Sequence, residues 1–114
     1  MHSDCLFCKI ASGAFSTEFL VETENLVAFR DINPAAPTHV LVIPKRHIPS
    51  LARLGPEDQH LMGEIMLAVK QIAEQEGLDE GFRVVVNTGP DGGQSVNHLH
   101  FHLLGGRSLQ WPPG

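Results

Sequence analysis

The sequence predicts an α+β domain, built from a largely antiparallel sheet and one long helix. Stretches with the alternation or β-branched composition of strands occupy residues 19–23, 26–32, 38–44, 82–87 and 99–104. A single helix-length apolar stripe separates the third stretch from the fourth. Strands and helices do not alternate as they do in the βαβ units of a parallel sheet, so mainly antiparallel pairing is expected.

The size and composition of the chain predict one domain over residues 1–114. A chain of 114 residues without a linker-like break has room for one modest core. No apolar run approaches the roughly 20 residues needed to span a bilayer, and the first residues lack the pattern of a signal peptide. We therefore expect a soluble, cytoplasmic protein that does not associate with membranes.

The charge balance argues against a nucleic-acid polymer as partner. The net charge is −5, and the chain has only eight lysines and arginines. Binding to a phosphate backbone depends mainly on cationic contacts, which such a chain cannot supply in number. Two cysteines are also too few for the disulfide framework of a small secreted domain, which favours a reducing compartment.

The N-terminal segment places two cysteines on a short predicted helix over residues 5–11. Cys5 and Cys8 have the spacing of either a redox motif or half of a metal site. Redox motifs of this spacing follow a strand in a βαβ unit, which is absent here. A structural zinc site needs two further ligands, for which His47 and His98 are candidates, and free buried thiols are the alternative.

The next segments predict a hairpin followed by a third strand. Residues 19–23 and 26–32 are joined by a tight turn near Glu24 and Asn25. Pro34 and Pro37 then interrupt the pattern, because proline cannot donate to a strand ladder. The strand over residues 38–44 is apolar on both faces except for His39, which taken alone is a core-edge histidine bonded to a backbone carbonyl.

The long helix is predicted to start at residues 55–58 and to end before Gly77. Its apolar stripe is wider than contact with one sheet requires. In a domain this small, little material remains to cover the other side, so we expect a homodimer, with a fully buried core helix as the alternative. The stripe consists of Leu61, Met62, Ile65, Met66, Ala68, Val69, Ile72 and Ala73.

The last strand carries the chemistry. His98, His100 and His102 alternate with Leu99, Phe101 and Leu103, so on a strand the imidazoles share one face and the apolar side chains share the other. Upstream, residues 91–95 form a glycine-rich loop whose N–H groups can approach an anion. This combination predicts phosphorus chemistry, whereas a histidine run alone is also compatible with adventitious metal binding or a solvated strand face.

Residues 92–104, Gly-Gly-Gln-Ser-Val-Asn-His-Leu-His-Phe-His-Leu-Leu, resemble the signature of the histidine triad (HIT) superfamily. The ending Gly-Gly-Arg at 105–107 and Trp-Pro-Pro-Gly at 111–114 is similar to its nucleotide-binding branch, the purine nucleoside phosphoramidases. Residues 30–34 and 37–44 also fit that branch, so the likeness covers nearly the whole chain. It implies a HIT-like fold with about five strands, one long helix and a short N-terminal helix, and subunits that pair sheet edge to sheet edge.

The resemblance also implies roles for individual residues. His100 is the implied nucleophile, His102 and His39 complete the histidine network, and Ser95 serves the leaving amine. A nucleophilic His100 requires its Nδ1 hydrogen to be held by a backbone carbonyl, so that Nε2 presents a lone pair. The implied substrate contacts are Asp31 at the ribose, Ile32 at the base, Asn87, Gly93, Gln94 and Ser95 around the phosphate, and Trp111 on a tail near the partner's site.

The same resemblance favours a structural zinc, held by Cys5, Cys8, His47 and His98, although other members of the branch lack the cysteines and fold without metal. No cofactor is needed for the chemistry itself. The expected activity is cleavage of the P–N bond of purine nucleoside 5′-phosphoramidates through a nucleotidyl-histidine intermediate. The alternatives are a dinucleoside polyphosphate hydrolase of the same superfamily and a non-catalytic nucleotide-binding or scaffold protein.

Overall fold

A five-stranded sheet organises the chain in the computed structural model, which describes residues 4–114. The strand order is β1-β2-β3-β5-β4, and every neighbouring pair is antiparallel. This architecture confirms the predicted α+β class with its long helix and short N-terminal helix. In chain order the elements are α1 (Leu6–Ala11), β1 (Val21–Glu22), β2 (Leu26–Arg30), β3 (Thr38–Pro44), α2 (Gln59–Gln75), β4 (Phe82–Val85), α3 (Gly89–Gly92) and β5 (Phe101–Gly105).

Several strands are shorter than their sequence patterns predict. The last strand begins at Phe101 rather than at residue 99, because the N–H of Leu99 donates to the carbonyl of Ile48 in a loop, 2.6 Å away. The second strand ends at Arg30, since the side chain of Asp31 accepts from the N–H of Asn33 (2.8 Å) and starts a turn. Residues 89–92, expected as part of a loop, form the short helix α3.

Both faces of the sheet are covered, which explains why every residue of β3 is buried. One face packs against α2, and its buried side chains include Leu26, Ala28, Val40, Val42, Ile65, Val69, Ile72, Leu99, Phe101 and Leu103. The other face packs against α1, with Phe7, Ala11, Val27, Phe29, Leu41 and Ile43. The three alternating hydrophobes of the histidine segment therefore lie on the α2 face.

Helix α2 is fixed at both ends by charged side chains. A 3₁₀ turn, Pro56–Asp58, leads into it, and the carboxylate of Asp58 accepts from the N–H of Gly55 (2.9 Å) and pairs with Arg46. Both contacts lower the pKa of Asp58, and the hydrogen bond from the Gly55 N–H has the larger effect. Past the C-terminus, the carboxylate of Glu76 accepts two bonds from Arg30, at 2.8 and 2.9 Å. These contacts link the two ends of the helix to β2 and to the segment that follows β3.

The apolar stripe of α2 is only partly buried within this chain. Ile65, Ala68, Val69, Ile72 and Ala73 are buried, and Leu61 and Met62 are half-buried against the core. Met66 is exposed, as is Leu67, which lies outside the predicted stripe. No helix of residues 4–114 has the length and apolar character to cross a membrane.

Candidate active site and metal cluster

Cys5, Cys8, His47 and His98 converge at the start of α1. Their ligand atoms all lie within 4.8 Å of one another. The Sγ of Cys5 is 3.3 Å from Nδ1 of His98, and the Sγ of Cys8 is 3.3 Å from Nδ1 of His47. Tetrahedral zinc with ordinary bond lengths separates sulfur from nitrogen by about 3.5 Å. The four side chains therefore fit a closed structural zinc site.

Two further contacts suit this cluster to a cation. The carbonyl of Pro44 lies 2.8 Å from Nε2 of His98, so that nitrogen carries the proton and Nδ1 turns its lone pair to the sulfurs. The N–H of Cys8 donates to the Sγ of Cys5 (3.2 Å), which suits a thiolate. Without a cation, burial and the neighbouring Cys5 raise the pKa of Cys8 to about 11. A bound zinc would reverse this preference and hold both cysteines as thiolates.

His100 lies just before β5 and is almost completely buried. Its Nδ1 is 2.7 Å from the backbone carbonyl of His98. Because a carbonyl only accepts, Nδ1 carries the proton of the neutral ring and Nε2 is left with a lone pair. The ring packs edge-on against Phe7, at a centroid distance of 5.1 Å and an angle of 82°. This is the tautomer that the sequence analysis requires of a nucleophile.

His39 and His102 form a second histidine pair beside His100. The N–H of Ala35 donates to Nδ1 of His39 (3.0 Å), so the proton of the neutral His39 ring lies on Nε2. That Nε2 is 2.9 Å from Nδ1 of His102 and 3.4 Å from Oδ2 of Asp31. His102 Nδ1 therefore accepts, and the His102 proton lies on Nε2. Within residues 4–114, this buried Nε2 has no hydrogen-bond partner.

The environment keeps His102 uncharged. Burial is the largest cause that lowers its pKa to about 4, and the neighbouring His100 and His39 lower it further. Asp31 acts in the opposite direction and has the smallest effect of the four. At neutral pH the ring is therefore a neutral donor through Nε2.

A cavity of about 440 Å³ opens over these histidines. Its wall includes Asp31, Ile32, Ser95, His100 and His102, so it brings together five of the predicted site residues. Ile32 is 92% exposed at the rim of this cavity. The wall also contains seven further apolar side chains, those of Leu6, Phe7, Ile10, Phe15, Phe29, Leu41 and Val96.

Other predicted contacts lie away from the cavity wall. The amide of Gln94 bonds to backbone groups instead: it accepts from Gly89 (3.0 Å) and donates to Pro49 (2.7 Å) and Val96 (2.9 Å). Gln94 thus shapes the loop that carries Ser95. Gly93, with φ of 78°, ends α3 in the left-handed conformation. Asn87 is half-buried after β4, and Trp111 is 82% exposed on the tail.

Two features of the site were missed by sequence reasoning. Phe7 and Phe15 line the cavity, whereas the sequence pattern of the N-terminal segment indicated a role only for its cysteines. Leu6 and Phe7 are adjacent large apolar residues between the two cysteines, and this pair was the available signal for Phe7; Phe15 had none. The N–H of Ala35 sets the tautomer of His39, and a backbone donor leaves no trace in residue type.

The comparison with known proteins agrees with this geometry. The family sequence model named HIT domain matches residues 13–109 of this chain. An uncharacterized HIT-like protein of Synechococcus elongatus is 54% identical over 114 residues, 100% of each chain. Protein HitA of Neisseria gonorrhoeae is 50% identical over 102 residues, 90% of this chain and 95% of its own. The chain belongs to the HIT family.

A solved structure extends the likeness to three dimensions. The HIT family hydrolase from Legionella pneumophila superposes with a TM-score of 0.94 at 49% identity, over 96% of this chain and 99% of that one. The sheet and helices described above are therefore those of a solved family member.

Proposed function

We propose that this protein is a hydrolase that cleaves the P–N bond of purine nucleoside 5′-phosphoramidates, with His100 as the nucleophile. The observation that carries the proposal is the 2.7 Å contact between His100 Nδ1 and the His98 carbonyl, which leaves a lone pair on Nε2 in the wall of the cavity. The name of the related Legionella protein, a HIT family hydrolase, supports hydrolysis as the reaction class.

In the proposed reaction, Nε2 of His100 attacks phosphorus and the P–N bond breaks. The leaving amine takes a proton at Ser95, which lies in the same wall. The phosphoryl oxygens accept from Nε2 of His102, a buried donor that has no partner within residues 4–114. Water then attacks the nucleotidyl-histidine and gives a proton back to Ser95, which releases the nucleoside monophosphate and restores both His100 and Ser95.

The nucleoside occupies the outer part of the cavity in this proposal. Ile32 packs on the base, and Asp31 accepts from the ribose hydroxyls at the cavity edge. Gln94 contributes through the loop conformation that presents Ser95, and the N–H groups around Gly93 together with Asn87 contact the phosphate. Trp111 is exposed on the tail and is absent from the cavity wall of its own chain, so in this proposal it contacts the substrate of a neighbouring subunit.

We assign the metal cluster a structural zinc. The three sulfur–nitrogen contacts of 3.3 to 3.5 Å and the occupied Nε2 of His98 suit a closed tetrahedral site without an open position. Zinc bound there supplies a crosslink between the N-terminal helix and the segment that carries His100. The P–N cleavage itself needs no metal.

We further propose a cytoplasmic homodimer that acts on a small purine nucleotide, not on a nucleic-acid polymer. The exposed apolar side chains of α2 and of the edge strand β4 support the dimer, and the net charge of −5 argues against a polymer.

Substrate cleavage tests the proposal. Purified protein is incubated with an adenosine 5′-phosphoramidate or with a diadenosine polyphosphate, and release of AMP is followed. His100→Ala serves as the inactive variant, and His60→Ala, whose side chain is 90% exposed on α2, serves as the matched histidine control. Preference for the phosphoramidate that depends on His100 supports the proposal. Preference for the dinucleotide favours the alternative hydrolase, and tight nucleotide binding without cleavage favours a binding protein.

A further inference from the structure

The turn after β5 lies against the loop that precedes β3. Nη2 of Arg107 donates to the carbonyl of Ala35 (3.0 Å), and Nη1 donates to the carbonyl of Ser108 (3.1 Å). One residue earlier, Gly106 has φ of +91°, and a Cβ at that position would lie 2.9 Å from Cβ of Pro37. Two adjacent residues of the turn therefore contact the same short loop.

Ala35 connects this turn to the histidines. Its carbonyl accepts from Arg107, while its N–H donates to Nδ1 of His39 (3.0 Å). Both groups belong to one residue, so a shift of its backbone changes both hydrogen bonds. Pro34 and Pro37 flank this stretch and have no N–H, which leaves few backbone groups able to take the place of the Ala35 donor.

The Ala35 hydrogen bond, together with the Asp31 carboxylate 3.4 Å from Nε2 of His39, favours one placement of the protons on two imidazoles. With Nδ1 of His39 accepting, Nε2 of His39 donates to Nδ1 of His102, and Nε2 of His102 becomes a donor. In the opposite tautomer of His39, the proton would lie on Nδ1 and Nε2 would accept from His102. Nε2 of His102 would then carry a lone pair and repel a phosphoryl oxygen.

We propose that Arg107 is a positioning residue for the hydrolytic reaction: by holding the backbone of Ala35, it keeps His39 in the tautomer that makes His102 a donor to the substrate. Arg107 is exposed and lies outside the cavity wall, so it acts through Ala35 and His39 without touching the substrate. This role rests on the proposed function, since the donor on His102 matters only if a phosphoryl group binds beside it.

Histidine tautomers and kinetics in three variants test the proposal. Arg107→Met removes the guanidinium, and Arg107→Lys retains one cationic donor. Arg83→Met is the matched control, because Arg83 also donates to a backbone carbonyl of the tail, that of Gln110, but has no contact with Ala35 described here. Two-bond ¹H–¹⁵N spectra of ¹⁵N-histidine protein report the tautomer of His39 without substrate, and steady-state assays give kcat and KM.

In Arg107→Met, we expect the His39 spectrum to lose the pattern of a ring protonated only at Nε2. We also expect kcat to fall about three- to tenfold, the usual effect of one lost hydrogen bond, while KM stays nearly unchanged. Arg107→Lys should lie between this variant and wild type, and Arg83→Met should match wild type in both measurements. An unchanged His39 tautomer in both Arg107 variants, an altered tautomer with unchanged kcat, or an equal effect of Arg83→Met would overturn the role. If wild type cleaves no phosphoramidate, the proposed function fails, while the spectra alone still decide whether Arg107 controls the tautomer.

Discussion

His102 lies in surroundings that favour its neutral form. Burial lowers its pKa from 6.5 to about 4, with smaller contributions from His100 and His39. A neutral ring here is useful to the proposed reaction, because it donates from Nε2 while it accepts at Nδ1. The same shift links the protonation of His102 to the stability of the fold.

The free energy of unfolding should therefore depend on pH through His102. Between pH 6.5 and about 4 the unfolded chain binds a proton at this residue and the folded chain does not, so its contribution is complete above pH 6.5 and is lost as the pH falls towards 4. Urea unfolding of wild type and His102→Asn across this window measures it, since contributions common to both proteins cancel. We expect the stability advantage of wild type over the variant to decrease as the pH is lowered. A constant difference would show that the pKa of His102 is not shifted by folding.

The histidines were predictable from the sequence because residue type and period carried the information. His100 and His102, which alternate with buried hydrophobic residues, lie in the cavity wall, and His98 lies in the metal cluster. The partners that fix their tautomers are the carbonyl of His98 and the N–H of Ala35. These backbone groups exist in every residue, so only the folded geometry could identify them.

At the scale of elements, the end of β5 and the turn after it pass close to neighbouring side chains. A Cβ on Gly105 would lie 2.7 Å from Cδ1 of Leu78, a flexible side-chain end. Gly106 is more constrained, because φ is +91° and the neighbour is the ring of Pro37. Glycine is therefore required at position 106 for both conformational and steric reasons.

We expect Gly106→Ala to destabilise the fold by about 1–3 kcal/mol, the usual cost of a side chain forced into a left-handed conformation. Gly63→Ala is a control that should change stability in the opposite direction. Gly63 is exposed within α2, and nothing lies within 4 Å of the added Cβ. Removing a glycine from a helix interior should raise stability by about 0.5–1 kcal/mol. Denaturant unfolding of both variants provides the measurement. Equal stability of Gly106→Ala and wild type would mean that this turn is not constrained as described.

The elements themselves were predicted well where the pattern was long and less well where local contacts intervene. The 17 residues of α2 have a broad stripe and clear end signals. The histidine segment has perfect strand alternation, yet its first residues are not in the sheet, because Leu99 bonds to the loop carbonyl of Ile48. Helix α3 has four residues with two glycines and a proline, a composition that predicts a loop.

At the scale of the whole molecule, zinc would tie the N-terminus to the segment that carries His100. We expect one zinc per subunit in protein purified without chelator, with Cys5 and Cys8 protected from thiol reagents. Cys8→Ser should lose the metal and have a lower melting temperature, whereas His60→Ala should keep the metal and melt at the temperature of wild type. Elemental analysis and thiol titration measure the outcome. Absence of zinc together with two freely reacting thiols would exclude the site.

The dimer prediction rests on two apolar surfaces that the described chain leaves exposed. Phe82 and Val84 share one face of the edge strand β4, and Leu67 is 69% exposed on α2. We expect a homodimer at micromolar concentration by sedimentation equilibrium, and Val84→Lys should shift it towards monomer. Ile32→Lys, which places the same charge at the cavity rim, should remain dimeric. Monomeric wild type would contradict the prediction.

The site of covalent attachment tests the central proposal most directly. Rapid quenching in alkaline denaturant during turnover of an adenosine phosphoramidate, followed by proteolysis and mass spectrometry at neutral to basic pH, locates the nucleotidyl group on a residue, because the P–N bond to histidine is labile in acid. We expect the adduct on His100 in wild type and, at lower yield, in His102→Ala, and no adduct in His100→Ala, which should still bind nucleotide through Asp31 and the loop that presents Ser95. An adduct on any other histidine, or a His100→Ala variant nearly as active as wild type, would contradict the assignment of His100 as the nucleophile.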